Sequence, residues 1–315
     1  MMTAYTQPFK GPEKKLEIIL FSPQPGLRSN IDDRWNRVVQ SSLSKIVNKI
    51  SNEYLDAYLL SESSLFVWED RILMITCGQT TLVKALPEIL DFVDKRNVAQ
   101  VFYEQKNFIF PHEQPSGFED DLKSLMEYFP GENYRFGSTG GDHVSIFCSS
   151  HAKSTPATDV TLQVLMHDLH PDRIEIFRPN TTGAEDNIEK LTGLDRFYSH
   201  MLKDRHVFSP PGYSINGIYK TDYFAIHVTP QPNGSYASFE TNIIEKDYSG
   251  IIKEITSIFE PGRFSVVLTR STDDFCIALH TSVTNNLRGY HMTEKILHEF
   301  KSGHTVTFLN YVTGN

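Results

Sequence analysis

The stretch Tyr58-Leu59-Leu60-Ser61-Glu62-Ser63-Ser64-Leu65-Phe66 decides how this chain is read. Its flanks, Tyr-Leu-Leu and Leu-Phe-Val, carry the bulky apolar side chains that suit a pleated, half-buried surface. Between them sit an acidic residue and paired hydroxyls, with no Gly or Pro to relax a tight turn. A serine held there can attack the carbonyl of its own preceding residue. That reaction cuts the chain and leaves a new reactive group at the break.

Outward from this point, strands are expected at residues 16–21, 55–60, 65–68 and 71–77. Glu69-Asp70 makes a tight polar turn, so the last two form a hairpin. An amphipathic helix follows over 81–93, with Leu82, Leu86, Ile89, Leu90 and Val93 on one face. A second spans 119–128, and strands return at 144–148 and 161–165. The second half repeats the rhythm, with strands at 215–219, 223–229, 235–241, 263–269, 275–281 and 305–311. Its helix, over 248–259, turns Ile251, Ile252, Ile255 and Ile258 inward. The polar stretch 178–189 reads as a connection between halves at about 9–170 and 190–315. Two mainly antiparallel sheets packed face to face, with helices outside both, bury all of these stripes. The expected class is α/β, as one domain over 1–315.

With 315 residues, 39% of them hydrophobic, the chain can build a large core. A net charge of -9 speaks against nucleic acid or anionic membrane as a partner. No apolar run approaches the roughly 18 residues of a membrane span. The N-terminus shows no basic segment leading into an apolar one, so secretion is not expected. Cys77, Cys148 and Cys276 stand far apart, which argues against a disulfide framework or a zinc site. No metal is expected, and a reducing cytoplasm is the simplest home.

Several ordered segments resemble the eukaryotic-type S-adenosylmethionine decarboxylases, in wording closest to protozoan members. Phe9-Lys10-Gly11-Pro12-Glu13-Lys14-Lys15-Leu16-Glu17 is similar to their N-terminal motif, 60–66 to their self-cleavage site, and Thr76-Cys77-Gly78 to their Thr-Cys-Gly element. Gly212-Tyr213-Ser214-Ile215-Asn216, Ile226-His227-Val228-Thr229-Pro230 and Ser238-Phe239-Glu240-Thr241-Asn242 complete the set. The resemblance runs from about Phe9 to about Phe264. It implies a four-layer α/β/β/α sandwich with pseudo-duplicated halves, agreeing with the strands and helices above.

The resemblance also implies the chemistry. Ser63 attacks the carbonyl of Glu62, and the resulting ester is eliminated and hydrolysed, giving chains 1–62 and 63–315. Residue 63 becomes a covalent pyruvoyl cofactor that forms a Schiff base with S-adenosylmethionine and draws electrons as the carboxylate leaves. Cys77 is the proton donor, and a thiol with an ordinary pKa near 8.5 suits that task. Glu13 completes the catalytic set, while Ser214 and His227 serve processing. Phe9 and Phe208 would clamp the adenine between aromatic faces, with Glu62 and Gln231 also contacting substrate. Glu17, Asp159, Thr161 and Glu240 stand where some members bind putrescine as an activator. Family members occur as monomers, homodimers and heterodimers with an inactive paralogue.

Two positions depart from the pattern. Lys10 replaces a glutamate beside the reacting centre, and Gln231 replaces the glutamate that grips the ribose. An ammonium at 4 Å would repel a sulfonium by about 4 kcal/mol at an effective dielectric near 20. The resulting reading is a self-processing decarboxylase making aminopropyl donor for spermidine and spermine. Lys10 and Gln231 motivate the alternatives: a pyruvoyl-dependent decarboxylase of ornithine or arginine, or a regulatory low-activity paralogue.

Overall fold

The computed structural model describes residues 13–61, 63–107, 111–149, 159–178, 185–271 and 287–314. Phe9, Lys10, Glu62, Cys276 and the strand expected at 275–281 lie outside them. The first sheet contains β1 (Lys14–Leu20), β2 (Ile46–Ser51), β3 (Asp56–Leu60), β4 (Ser63–Val67), β5 (Arg71–Thr76), β6 (Val98–Lys106), β7 (Gly131–Phe136) and β8 (Val144–Ser149). The second contains β9 (Val160–Leu169), β10 (Leu202–Phe208), β11 (Gly212–Tyr219), β12 (Asp222–Thr229), β13 (Tyr236–Thr241), β14 (Pro261–Ser271), β15 (Tyr290–Glu299) and β16 (His304–Thr313).

Strand order is β2-β3-β4-β5-β1-β6-β8-β7 in one sheet and β10-β11-β12-β13-β9-β14-β16-β15 in the other. Adding eight to each label of the first gives the second, so the halves share one topology. The sequence reading ended the first half at about residue 170. β9 is instead hydrogen-bonded between β13 and β14, so the second sheet begins at Val160.

Alternation along each strand divides its side chains between two interfaces. Leu16, Ile18, Tyr58, Leu65 and Met74 face the helices α1 (Arg34–Ser41), α2 (Ala85–Leu90) and α3 (Phe118–Tyr128). On the second half the outer core gathers Val164, Phe239 and Val266 with Ile252 and Ile255 of a helix at Ser249–Phe259. Between the sheets lie Ile19, Phe102, Leu165, Tyr236 and Val267, and a second group with Phe66, Leu73 and Tyr223. The layers are therefore helix, sheet, sheet, helix.

The expected hairpin is present, closed by the Trp68 amide donating to the Arg71 carbonyl at 2.8 Å. The helix expected over 81–93 is shorter. Leu82–Lys84 forms a 3-10 turn before α2 begins at Ala85, and Pro87 sits in its first turn, where a missing amide costs little. Four strands that the sequence reading missed, β2, β7, β10 and β15, are the edges of the two sheets. β2 and β15 keep much of their surface exposed, so their sequences lack the apolar alternation of inner strands. The fifth missed strand, β6, lies inside its sheet but buries Glu104, Gln105 and Lys106, a run that reads as polar.

Candidate active site

β3 and β4 pair with Leu60 opposite Ser63, so only Ser61 and Glu62 link them. Two-residue hairpin loops favour Gly or Asn because both central positions commonly need positive φ. Here neither residue is one of these, and Ser63 itself is left at φ 131°. A non-glycine residue in such a region stores about 1–3 kcal/mol of strain. The strain falls beside the bond that the sequence singled out.

The Ser63 hydroxyl donates to the Cys77 sulfur at 3.0 Å, and the Cys77 thiol to Glu13 Oε1 at 3.7 Å. Both distances follow from the sheet. Ser63 on β4 is opposite Thr76 on β5, which puts Cys77 at the next position. Gly78, at φ 71°, then turns the chain away without the steric cost a side chain would bring. Glu13 immediately precedes β1, where its carbonyl accepts the Lys106 amide at 3.0 Å.

The second sheet supplies the facing wall. His227 Nδ1 lies 2.8 Å from Glu13 Oε1, and Ser238 and Tyr236 both donate hydroxyls to the same carboxylate. Carboxylate, thiol and imidazole come within 4.8 Å of one another. His227 Nε2 lies 2.9 Å from the Ser64 hydroxyl, which in turn reaches Asn216 Oδ1 at 2.6 Å. Ser214 is opposite His227 across β11 and β12.

Of these groups Ser63, Cys77 and His227 line a cavity of about 580 Å³ that also meets Ser214, Gln79 and Phe208. Phe208 closes β10, its ring edge-on to His206 at 4.6 Å. The structure thus brings together Glu13, Ser63, Cys77, Phe208, Ser214 and His227. Gln231 does not line the cavity, whose wall reaches Thr229, two residues earlier. Cys148 is buried, as expected of a core residue. Sequence reasoning missed Ser64, Tyr236 and Ser238 as neighbours of the site. Tyr236 and Ser238 alternate along β13 on the face toward Glu13, a signal visible only once that face is known.

The network at Glu17, Asp159, Thr161 and Glu240 is buried between the sheets. Arg71 spans Glu17 at 2.9 Å and Asp159, and His304 Nε2 lies 3.8 Å from Asp159. Lys15 Nζ sits 3.1 Å from Glu240, which also accepts the Tyr223 hydroxyl. Burial alone would lower the Lys15 ammonium, but Glu240, Glu17 and Glu104 outweigh it and hold it above its ordinary value. Burial raises Glu240 and pushes the Glu104 carboxyl up to about 7. Neither Lys15 nor Glu104 was anticipated here. Among the described residues no helix is long and apolar enough to cross a membrane.

Known proteins resemble this chain over nearly its whole length. The family model for adenosylmethionine decarboxylase matches residues 6–312. An S-adenosylmethionine decarboxylase proenzyme of Trypanosoma cruzi is 36% identical over 96% of this chain and 88% of its own. A protein of the same name from Dictyostelium discoideum is 32% identical over 98% of this chain and 86% of its own. A solved structure of the Trypanosoma brucei AdoMetDC-delta26 monomer superposes with a TM-score of 0.65 at 28% identity, covering 80% of this chain and 99% of that one. The chain belongs to the adenosylmethionine decarboxylase family.

Proposed function

We propose that the chain cuts itself between Glu62 and Ser63 and then decarboxylates S-adenosylmethionine. The observation that carries this reading is Ser63: strained, at the turn of a two-residue hairpin, with its hydroxyl on the Cys77 thiol. As Ser63 Oγ attacks the Glu62 carbonyl, its proton has a route through Cys77 Sγ to Glu13. The acyl group passes from nitrogen to oxygen, leaving an ester. Elimination frees the Glu62 carboxylate as a new C-terminus, and water then displaces the nitrogen of residue 63 as ammonia to leave a pyruvoyl group there.

Ser63 and its surroundings fit that group. It starts a strand, opens onto the cavity and stands beside a thiol. Once formed, the pyruvoyl group supplies the electron sink for decarboxylation. Phe208 offers a flat face to the adenine. Cys77 holds a proton at Sγ, which it delivers to the substrate carbon that has lost its carboxylate. Glu13 receives hydrogen bonds from Ser238 and Tyr236 and so remains an acceptor, able to orient Cys77 and His227.

The product is an aminopropyl donor for spermidine and spermine, made in the cytoplasm. Lys15 and Arg71 occupy the carboxylates of the inter-sheet network, so turnover needs no added putrescine. The alternatives raised by Lys10 and Gln231 gain no support from the relatives.

Intact mass of the purified protein tests the cut: two chains divided after Glu62, the larger with a blocked N-terminus. Carbon dioxide release from carboxyl-labelled S-adenosylmethionine, with labelled ornithine and arginine in parallel, tests the substrate. An uncut chain, or release only from the other amino acids, overturns the reading.

A further inference from the structure

Among the described residues, His227 is the basic side chain that lines the cavity with Ser63, yet its contacts leave only one ring nitrogen able to exchange a proton. Nδ1 faces Glu13 Oε1 at 2.8 Å, and that carboxylate is already an acceptor for Ser238 and Tyr236. Nδ1 therefore carries a hydrogen. Nε2 is the remaining position, and its neighbour at 2.9 Å is Ser64, not Ser63.

Ser64 is completely buried, and its hydroxyl has one hydrogen to give and two acceptors within reach. One is His227 Nε2. The other, at 2.6 Å, is Asn216 Oδ1. The Asn216 amide has a defined orientation, because its Nδ2 donates to the Tyr58 carbonyl at 3.3 Å. When Nε2 is bare, Ser64 donates to it. When Nε2 holds a proton, Ser64 turns its O–H to Asn216 and accepts from the imidazolium. Only a hydrogen moves. A buried imidazole that gains and loses a proton otherwise leaves an unpaired polar atom in one state.

We propose that Ser64, braced by Asn216, is the positioning residue for His227 in the elimination step of self-cleavage. The proposal rests on the self-cleavage reading above. In the ester, Nε2 takes the proton from Cα of residue 63. The electron pair of that C–H bond forms the Cα–Cβ double bond. The Cβ–O bond breaks, and its pair leaves with the Glu62 carboxylate. His227 ends as an imidazolium, and the Ser64 oxygen accepts its new hydrogen.

The test follows cutting of freshly made chain by gel and mass spectrometry, with and without hydroxylamine, which cleaves an ester to a hydroxamate. Ser64→Ala should cut about 10–100-fold more slowly, less than the about 10²–10⁴-fold of a whole general base, because His227 itself remains. It should accumulate ester, so hydroxylamine releases a fragment ending at Glu62 and a partner beginning with free Ser63. Ser64→Thr, which keeps the hydroxyl, should restore most of the rate, and Asn216→Ala should fall between. A merely misfolded variant would block the first step too and yield no hydroxamate. Wild-type rates in both Ser64→Ala and Asn216→Ala, or slow cutting without trappable ester in both, overturn the proposal. A wild-type chain that never cuts overturns the parent reading instead.

Discussion

Ser63 Oγ and Cys77 Sγ stand 3.0 Å apart across adjacent strands, so nucleophile and proton donor meet before any cofactor exists. The pairing of Ser63 with Thr76 sets this spacing, and the strained Ser63 backbone aims the hydroxyl. Ser63→Ala keeps the hairpin but has no oxygen to attack with. It should remain a single chain of full mass and release no carbon dioxide from S-adenosylmethionine. Two fragments from this variant would show that the cut lies elsewhere, with Ser64 as the alternative nucleophile.

Cys77 has a different expected signature. Cys77→Ala retains Ser63, so cutting should still occur, slowed by loss of the route to Glu13. Decarboxylation should fall about 10²–10⁴-fold, the usual contribution of a placed general acid. Steady-state kinetics on the cut fraction separate these effects, since KM should change little while kcat drops. An unchanged kcat would remove Cys77 from the reaction.

The inner strands were legible because alternation and β-branching survive where both faces are buried. The edge strands β2, β7, β10 and β15 were not, because little of their surface needs to be apolar. β6 failed for the opposite reason, burying Glu104 beside Lys15 of β1 and Lys106 against Asp142, partners that lie far away in sequence. At the site, Ser63, Cys77 and His227 were legible through motifs, and the structure gathers all three. Ser64 was quoted in the opening stretch, but its partner Asn216 lies far away in sequence, and periodicity cannot pair residues across two sheets. Lys15 reads as one more basic residue in Glu-Lys-Lys; its burial against Glu240 is a property of the sandwich.

Lys15 predicts how the chain responds to amines. Its ammonium already neutralises Glu240, so putrescine should leave the activity and melting temperature of the wild-type enzyme unchanged. Lys15→Met leaves a buried carboxylate uncompensated, which costs about 3–5 kcal/mol when a buried pair loses one partner. Millimolar putrescine should then raise the melting temperature of the variant and recover part of its activity. Stimulation of the wild type would mean that the network retains room for a further cation.

Glu104 predicts a pH dependence. Burial raises its carboxyl from an ordinary 4.5 to about 7, although Lys15 pulls the other way. The folded chain therefore holds this proton more tightly than the unfolded one. Its stabilising contribution is fully present below about pH 4.5 and is lost as pH rises through about 7. The whole span corresponds to about 3 kcal/mol. Glu104→Gln stays neutral at every pH and can still accept from Gln163 Nε2, now 3.0 Å from the carboxylate. Urea unfolding is best compared in a Ser63→Ala background, which keeps one chain and a concentration-independent midpoint. The two proteins should have nearly equal stability at pH 5. At pH 8 the glutamine variant should be more stable by about 1–3 kcal/mol. Parallel pH profiles would mean that Glu104 is ionised in the folded chain throughout, with Lys15 as its full counter-charge.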